Sequence, residues 1–249
     1  SGRDILCGGD MGTEGILSAK CSGIEEKVCY KDVRRLLKIT VDLWSGCGKI
    51  GCGTVLRLRR EIVMFEFLLN LDGNILLFLQ EHIRNPVMTP ILRLITTLGN
   101  GGAIWIAFTV LLLCIPKTRK IGCMALAALL GTLLVNNMIL KNLVARTRPY
   151  EVIEGLTYIV MRPTDFSFPS GHAGCSFAVV CILFRRLPRQ YCIPALILAI
   201  LIAVSRLYVG VHYPSDVLFG TISGILISYG AERIVDWLWR RRCIEQEEE

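Results

Sequence analysis

Charged residues occur in this chain in bursts, and the intervals between them carry the first structural signal. Between Arg93 and Lys117 no charge appears for 23 residues, and between Lys120 and Lys141 none for 20. From Phe166 to Phe184 the sole ionisable group is His172. Gln190 to Ser205 is uncharged and continues past Arg206 to Gly210. Val217 to Ala231 is a fifth interval, extended by Ile234, Trp237 and Trp239. Stretches of about 20 residues match a bilayer core at about 1.5 Å per residue, so at least five transmembrane helices are predicted. Residues 66–93 carry Asp72, Glu81, His82 and Arg84, and read either as a sixth crossing or as an interfacial helix. The predicted fold class is all-α, a polytopic membrane helix bundle of five to six transmembrane helices. Buried helices of a soluble protein fit poorly, because five such runs leave too little polar sequence to cover them.

Composition agrees with this pattern. Apolar residues make up 53% of the 249 and charged residues 20%, with a mean hydropathy of +0.51. Soluble domains sit near 45–50% and about 25%. The excess excludes a disordered chain. Residues 1–63 differ, holding ten of the 23 glycines and five of the 11 cysteines. No uncharged run there is long enough to span a bilayer, and a signal peptide's central apolar region is missing. Residues 1–63 are therefore expected to be a polar extension, disordered or the product of a misassigned gene start, with Met64 able to begin a complete protein. The membrane domain is expected over 64–242 and an acidic tail over 243–249. Cys7, Cys21, Cys29, Cys47 and Cys52 form no Cys-x-x-Cys pair and have no nearby His, so no metal site is expected. Cys114, Cys123, Cys175, Cys181 and Cys192 lie in apolar runs, where a thiol behaves as a small hydrophobe.

Basic loop residues favour the cytoplasmic side. The clusters Lys117/Arg119/Lys120, Arg185/Arg186/Arg189 and Arg240/Arg241/Arg242 all fall on one face of the five-span arrangement. The opposite, extracytoplasmic face then receives Lys141, Arg146, Arg148, Glu151, Glu154, Arg162, Asp165, His172, Arg206, His212 and Asp216. Ionisable groups at membrane depth mark functional sites by default.

Three constellations stand out on that face. Lys141-x6-Arg148-Pro149 places two cations nearly eclipsed on a helix that Pro149 should end at Arg148. Such a pair suits an anion, Arg148 offering a bidentate fork to phosphate, although snorkelling cations would look the same. Pro169-Ser170-Gly171-His172 opens an apolar helix, with Ser170 as N-cap and Gly171 permitting close approach of a ligand to backbone N–H groups. His172 in the first turn can protonate a leaving oxygen, and a capping role alone is the alternative. Ser205-Arg206-x5-His212-x3-Asp216 puts His212 in a turn between spans, with Pro214 opening the next helix. Asp216 can fix the imidazole tautomer and leave the other nitrogen nucleophilic; a turn His with a capping Asp is the plainer option. Together the groups suit phosphoryl transfer without an obligatory metal or other cofactor, the cations supplying charge stabilisation.

These three motifs resemble, in order and internal spacing, the signature of the type 2 phosphatidic acid phosphatase superfamily. That group includes lipid phosphate phosphatases, bacterial undecaprenyl pyrophosphate phosphatases, glucose-6-phosphatase and vanadium haloperoxidases. The signature spans 141–216, and the apolar helices extend the likeness to about 64–240. The resemblance implies that His212 attacks phosphorus, Asp216 orients it and His172 protonates the leaving group. Lys141, Arg148, Ser170, Gly171 and Arg206 would hold the phosphate oxygens. Arg146 and Tyr150 flank the first motif without belonging to it.

A site at the outer ends of membrane helices favours a lipid phosphate, in a multi-pass protein of a bacterial plasma membrane. Undecaprenyl pyrophosphate is the expected substrate, with phosphatidic acid or phosphatidylglycerophosphate next. A non-catalytic lipid-binding or transport protein on the same scaffold is the alternative from another class. The basic residues form three boundary clusters instead of one stripe, so nucleic acid is not an expected partner.

Overall fold

The computed structural model describes residues 67–247, with side chains to Arg242. The extension 1–63, its boundary at Met64 and Glu248–Glu249 lie outside the described residues. No strand occurs among the described residues. Helix α1 covers 67–83 and closes in a π-type turn, Leu79–Ile83. Helix α2 is Met88–Leu98 and α3 is Ala103–Cys114. Helix α4 runs over 119–144 as Arg119–Thr132, a π-type stretch Leu133–Leu140, and Lys141–Val144. A single turn, α5, is Pro149–Val152. Three long helices follow: α6 Gly171–Arg186, α7 Arg189–Tyr208 and α8 Pro214–Glu247. The last runs on into the expected acidic tail.

The breaks between helices have local causes. Gly101 and Gly102 take left-handed φ values of 60° and 72°, which glycine alone adopts without steric cost. They separate α2 from α3 with a 48° bend. Ala145 ends α4 with φ 46°, a conformation costing an L-residue about 1–2 kcal/mol. Arg148 is extended at φ −74° and ψ 150°, as expected for a residue before proline.

Three helical stretches among the described residues, Pro116–Val152, Arg189–Tyr208 and Pro214–Arg242, are long and apolar enough to cross a bilayer. The bent α2–α3 pair makes a fourth if counted as one span. This is fewer than the five to six expected. Helix α6 is outside this count because it has 16 residues, yet it runs from Ser170 at the site end of the bundle to Arg185 and Arg186 at the basic end. Helix α1 falls outside the count as well, and its contacts lie at one end of the bundle. Asp72 meets Ser215, Leu76 packs with Leu156 and Tyr213, Gln80 bonds Gly155, and Arg84 bonds the Tyr208 carbonyl. Tyr208, Tyr213 and Ser215 sit where α7 ends and α8 begins, and Gly155 and Leu156 lie in the loop before α6. Through these contacts the described part of 66–93 lies against the site end of the bundle.

The other end carries the basic clusters. Asp236 accepts Lys120 and Arg186 at 2.6 Å each, and Glu232 accepts Arg185 and Arg186 at 2.5 Å each. These pairs tie the start of α4, the end of α6 and the lower half of α8 together.

Lipid tails are as apolar as leucine, so helices associate in a bilayer through close packing, which small residues permit. The α6–α8 seam is built this way. A Cβ at Gly224 would collide with the Gly174 carbonyl, and one at Gly220 with the Ser170 carbonyl. Beside the seam, Met124, Ala128, Ala178 and Ile182 pack without exposure. Trp105 of α3 crosses to α6 and donates to Ser176 Oγ at 2.8 Å.

Gly224→Ala should therefore lower the thermal midpoint of the detergent-solubilised protein by several degrees, since the colliding atom is backbone and has no rotamer to retreat into. Gly230→Ala, whose Cβ meets open space, should be neutral or mildly stabilising through helix propensity. Equal effects at the two positions would contradict this seam.

Candidate active site

The three motifs converge at the end of the bundle where α4 stops and α6 and α8 start. Helix α4 ends at Val144, four residues before Arg148, so the two cations of the first motif do not share a helix face as the sequence spacing suggests. They meet through the turn at Ala145 instead. Lys141 Nζ and Arg148 Nη2 bind the two oxygens of Asp165, at 2.5 and 2.6 Å. Arg148 also donates to the carbonyls of Asp165 and Val211, at 2.9 and 2.8 Å. Both cations are nearly buried, whereas the Asp165 side chain is 51% exposed. Burial raises the Asp165 carboxyl, but bonds and charges from Lys141 and Arg148 outweigh this and hold it down to about 2. An internal carboxylate thus spans the pair that the sequence assigns to phosphate.

Arg206, 4% exposed near the end of α7, donates from Nη1 to Thr96 Oγ1 at 2.7 Å. Its Nε has no protein partner among the described residues. The third cation therefore keeps donor capacity toward the site.

His212 lies in the turn between α7 and α8 and is buried. Its Nδ1 faces Asp216 Oδ2 at 3.6 Å, which is beyond hydrogen-bond length yet close enough for the charge to orient the ring. Nε2 is left on the opposite edge. Burial pulls the imidazole down to about 4; the Asp216 carboxylate opposes this, while Arg206 and Arg148 add to it. His212 is thus neutral at physiological pH, the state a nitrogen nucleophile requires.

Asp216 is fully buried and heavily partnered. It accepts Arg146 Nη1 at 2.6 Å, the Tyr213 N–H at 3.0 Å and the Ser167 hydroxyl. Arg146 reaches further, with Nη2 on Asp72 Oδ2 at 2.9 Å and its guanidinium 3.7 Å from the Tyr213 ring centroid.

The second motif departs from expectation at Ser170. Ser170 occupies the N-cap position, but its side chain makes no capping bond, and its buried hydroxyl has no protein partner among the described residues. Its N–H instead donates to the Asp216 carbonyl at 3.1 Å, which pins the start of α6 to α8. A Cβ on Gly171 would meet the Asn137 side-chain amide oxygen at 2.7 Å, so glycine here also leaves room for Asn137. His172 does sit in the first turn of α6, with Nε2 3.0 Å from Asn100 Oδ1.

These groups open into one cavity of about 910 Å³. Lys141, Arg148, Gly171, His172, Arg206 and His212 line its polar part, with Asp165 as the one carboxylate among the described residues. Arg93 and Arg162 line it as well. An apolar arm follows between α3 and α4, along Ile106, Val110, Leu126 and Leu130. These four side chains are exposed, so the arm opens onto what would be the hydrocarbon of the bilayer.

Several site residues escape the motif reading. Asp165 was legible only as a charge on the right face, Arg146 as a neighbour of the first motif, and Asp72 only as an awkward charge in an apolar helix. Thr96 and Asn100 gave no signal, since a polar residue in a membrane helix does not name its partner.

His212 titration should begin only as pH falls toward about 4, measured by 15N NMR of labelled histidine. The folded value lies below the ~6.5 of an unfolded chain, so the unfolded state binds more protons between about 4 and 6.5. Stability should accordingly decline as pH falls through that window. A midpoint at or above 6.5 would contradict the burial of the ring. Asp165→Asn should tighten inhibition by inorganic phosphate about fivefold, since a partly exposed ion pair is worth about 1 kcal/mol. Weaker phosphate binding would mean that Asp165 instead holds the cations in place.

A family model described as PAP2 superfamily matches residues 120–240. An undecaprenyl-diphosphatase of Sulfolobus acidocaldarius is 35% identical over 126 residues, 51% of this chain and 61% of that protein. The chain thus spans about three-fifths of that relative's length. A lipid A 4'-phosphatase of Bacteroides thetaiotaomicron is 32% identical over 176 residues, 65% of this chain and 75% of the relative. Among solved structures, the transmembrane PAP2 type phosphatidylglycerolphosphate phosphatase of Bacillus subtilis superposes with a TM-score of 0.56 at 23% identity. It covers 81% of this chain and 95% of its own. With helical fold, motif order and sequence likeness in agreement, the chain belongs to the PAP2 superfamily.

Proposed function

We propose that this chain is a membrane phosphatase that hydrolyses a lipid phosphate or diphosphate through a phosphohistidine, with undecaprenyl diphosphate as the leading substrate. The observation that carries this reading is the continuity of the cavity. Three buried cations and two histidines face one end of it, and an apolar arm open to the bilayer forms the other. A headgroup can bind among the cations while its hydrocarbon chain stays between α3 and α4. The active end faces the extracytoplasmic side on this reading, opposite the basic clusters joined to Glu232 and Asp236.

In the first step His212 Nε2 attacks phosphorus, the P–N bond forms, and the P–O bond to the leaving group breaks. His172 supplies the proton that the leaving oxygen needs. Asp216 stabilises the positive charge that develops on His212. Lys141, Arg148 and Arg206 hold the equatorial oxygens, aided by the Ser170 hydroxyl and the Gly171 N–H. The carboxylate of Asp165 gives up its place to the phosphate. Water then attacks the phosphohistidine, with His172 taking its proton, and inorganic phosphate leaves. No metal is needed, because the cations supply the charge.

Diphosphate is favoured by Arg93 and Arg162, two cations lining the cavity beyond the signature three, and by the undecaprenyl-diphosphatase relative. Phosphatidylglycerophosphate or phosphatidic acid is the second reading, supported by a phosphatidylglycerophosphatase B of Bacillus subtilis that is 34% identical over 109 residues. Purified protein should release phosphate from a panel of lipid phosphates and diphosphates in excess EDTA, fastest with undecaprenyl diphosphate. His212→Ala should lower turnover by at least about 10³-fold while still binding vanadate. Strict Mg²⁺ dependence, or an active His212→Ala variant, would overturn the mechanism. Lipid binding without phosphate release would favour a binding or transport protein.

A further inference from the structure

Asp72 lies outside the three motifs and outside the family-matched region 120–240. It is only 6% exposed, on a helix that crosses the site end of the bundle. A carboxylate so placed costs several kcal/mol unless its oxygens are satisfied. They are. Oδ1 accepts the Ser215 N–H at 3.0 Å, and Oδ2 accepts the Ser215 hydroxyl and Arg146 Nη2, the latter at 2.9 Å.

Both partners lead to the same place. Arg146 Nη1 donates to Asp216 Oδ1 at 2.6 Å and to Ser215 Oγ at 2.7 Å, so its guanidinium is clamped between two carboxylates. Ser215 lies in the first turn of α8, between His212 and Asp216, and its backbone N–H is held from outside that helix. Asp72 is not among the residues lining the cavity, and so acts only through others.

The geometry points to Asp72 as a positioning residue for the reaction, an inference that rests on the phosphatase reading. It does two things. It fixes the rotation of Arg146 and the first turn of α8, and thereby the carboxylate of Asp216 behind His212. It also shares the Arg146 charge, so that Asp216 is not fully neutralised and keeps negative potential for the imidazolium that forms during phosphoryl transfer. Helix α1 is then part of the catalytic apparatus, although no motif falls on it. The charged and polar groups around Asp216 are Arg146, Ser167, the Tyr213 N–H and His212; among the described residues, Asp72 is the acid that opposes Arg146 from the far side.

The test compares the full chain with its Asp72→Asn variant in detergent, measuring kcat, KM, inhibition by inorganic phosphate, and the titration of His212 by 15N NMR. Substitutions that misplace a catalytic group by a fraction of an ångström cost about 10- to 100-fold. The expected result is a fall of that size in kcat, with KM and phosphate inhibition within about threefold. His212 should titrate at lower pH, because Arg146 then neutralises Asp216 more completely. A kcat within about threefold of the parent, or an unmoved His212 titration, would overturn the proposal. So would KM and phosphate inhibition worsening in step with kcat, the mark of general loosening. Should Asp72→Asn fail to fold, Ser215→Ala weakens the same contact while leaving the charge. It should lower kcat about three- to tenfold at constant KM, and an unchanged kcat would overturn the proposal. If the parent releases phosphate from no lipid, the phosphatase reading fails, while the His212 titration of the same pair still decides the role of Asp72.

Discussion

Lys141, Arg148, Arg206, Asp216 and Asp72 are all nearly removed from water at one end of an apolar bundle, and everything else about that end follows from satisfying them. Removing an ion from water costs several kcal/mol even after relaxation, so each needs partners with good geometry. Asp165 serves Lys141 and Arg148, Thr96 serves Arg206, and Arg146 lies between Asp216 and Asp72. These groups and their partners come from α1, α2, α4, the segment after α4, the loop before α6, α7 and the start of α8. The ionic network is therefore also what joins the elements that close the site. It explains a strained Ala145: leaving the helix there frees Arg146 and Arg148 to reach partners that a continued helix would deny them.

Charge needs a frame to hold it. The start of α6 is set against α8 by backbone contact, with Gly224 against Gly174 and Gly220 against Ser170. The Ser170 N–H on the Asp216 carbonyl joins the second motif to the third. Ser170 thus contributes through its backbone, and its hydroxyl is free of the capping duty that serine at such a position ordinarily performs. Small residues along this seam and buried charge at its head are complementary: the first permits the approach, and the second orients what approaches.

The same arrangement separates two solvents. Around the cavity's polar end, Lys141, Arg148, Arg206 and His212 are held by fixed protein groups; along its arm, Ile106, Val110, Leu126 and Leu130 remain exposed. In water such exposure would be a liability. In a bilayer it costs nothing, and it lets one molecule with a charged head and an apolar chain occupy both parts.

Much of this was legible in the sequence, for physical reasons that can be named. Uncharged intervals report a bilayer because hydrocarbon tolerates few charges, so the all-helical membrane class followed from where Arg93, Lys117, Lys120 and Lys141 stand. Histidines and cations at fixed spacing report chemistry, since placing them near membrane depth is costly without a use. The number of crossings was less legible, because an uncharged run does not say how much of itself is helix: the 166–184 interval yields a helix of 16 residues. The course of α1 was undecided, as its charges suit either an interface or a buried pair. By itself, the sequence determined the membrane class and singled out the three motifs with their candidate site residues, since hydropathy and local spacing are properties of the chain alone. Only the tertiary structure decided that Asp165 bridges the first two cations and that Asp72 stands behind Arg146 and Asp216. Pairing between residues separated by 17 to 74 positions depends on where helices pack, and no local pattern encodes it.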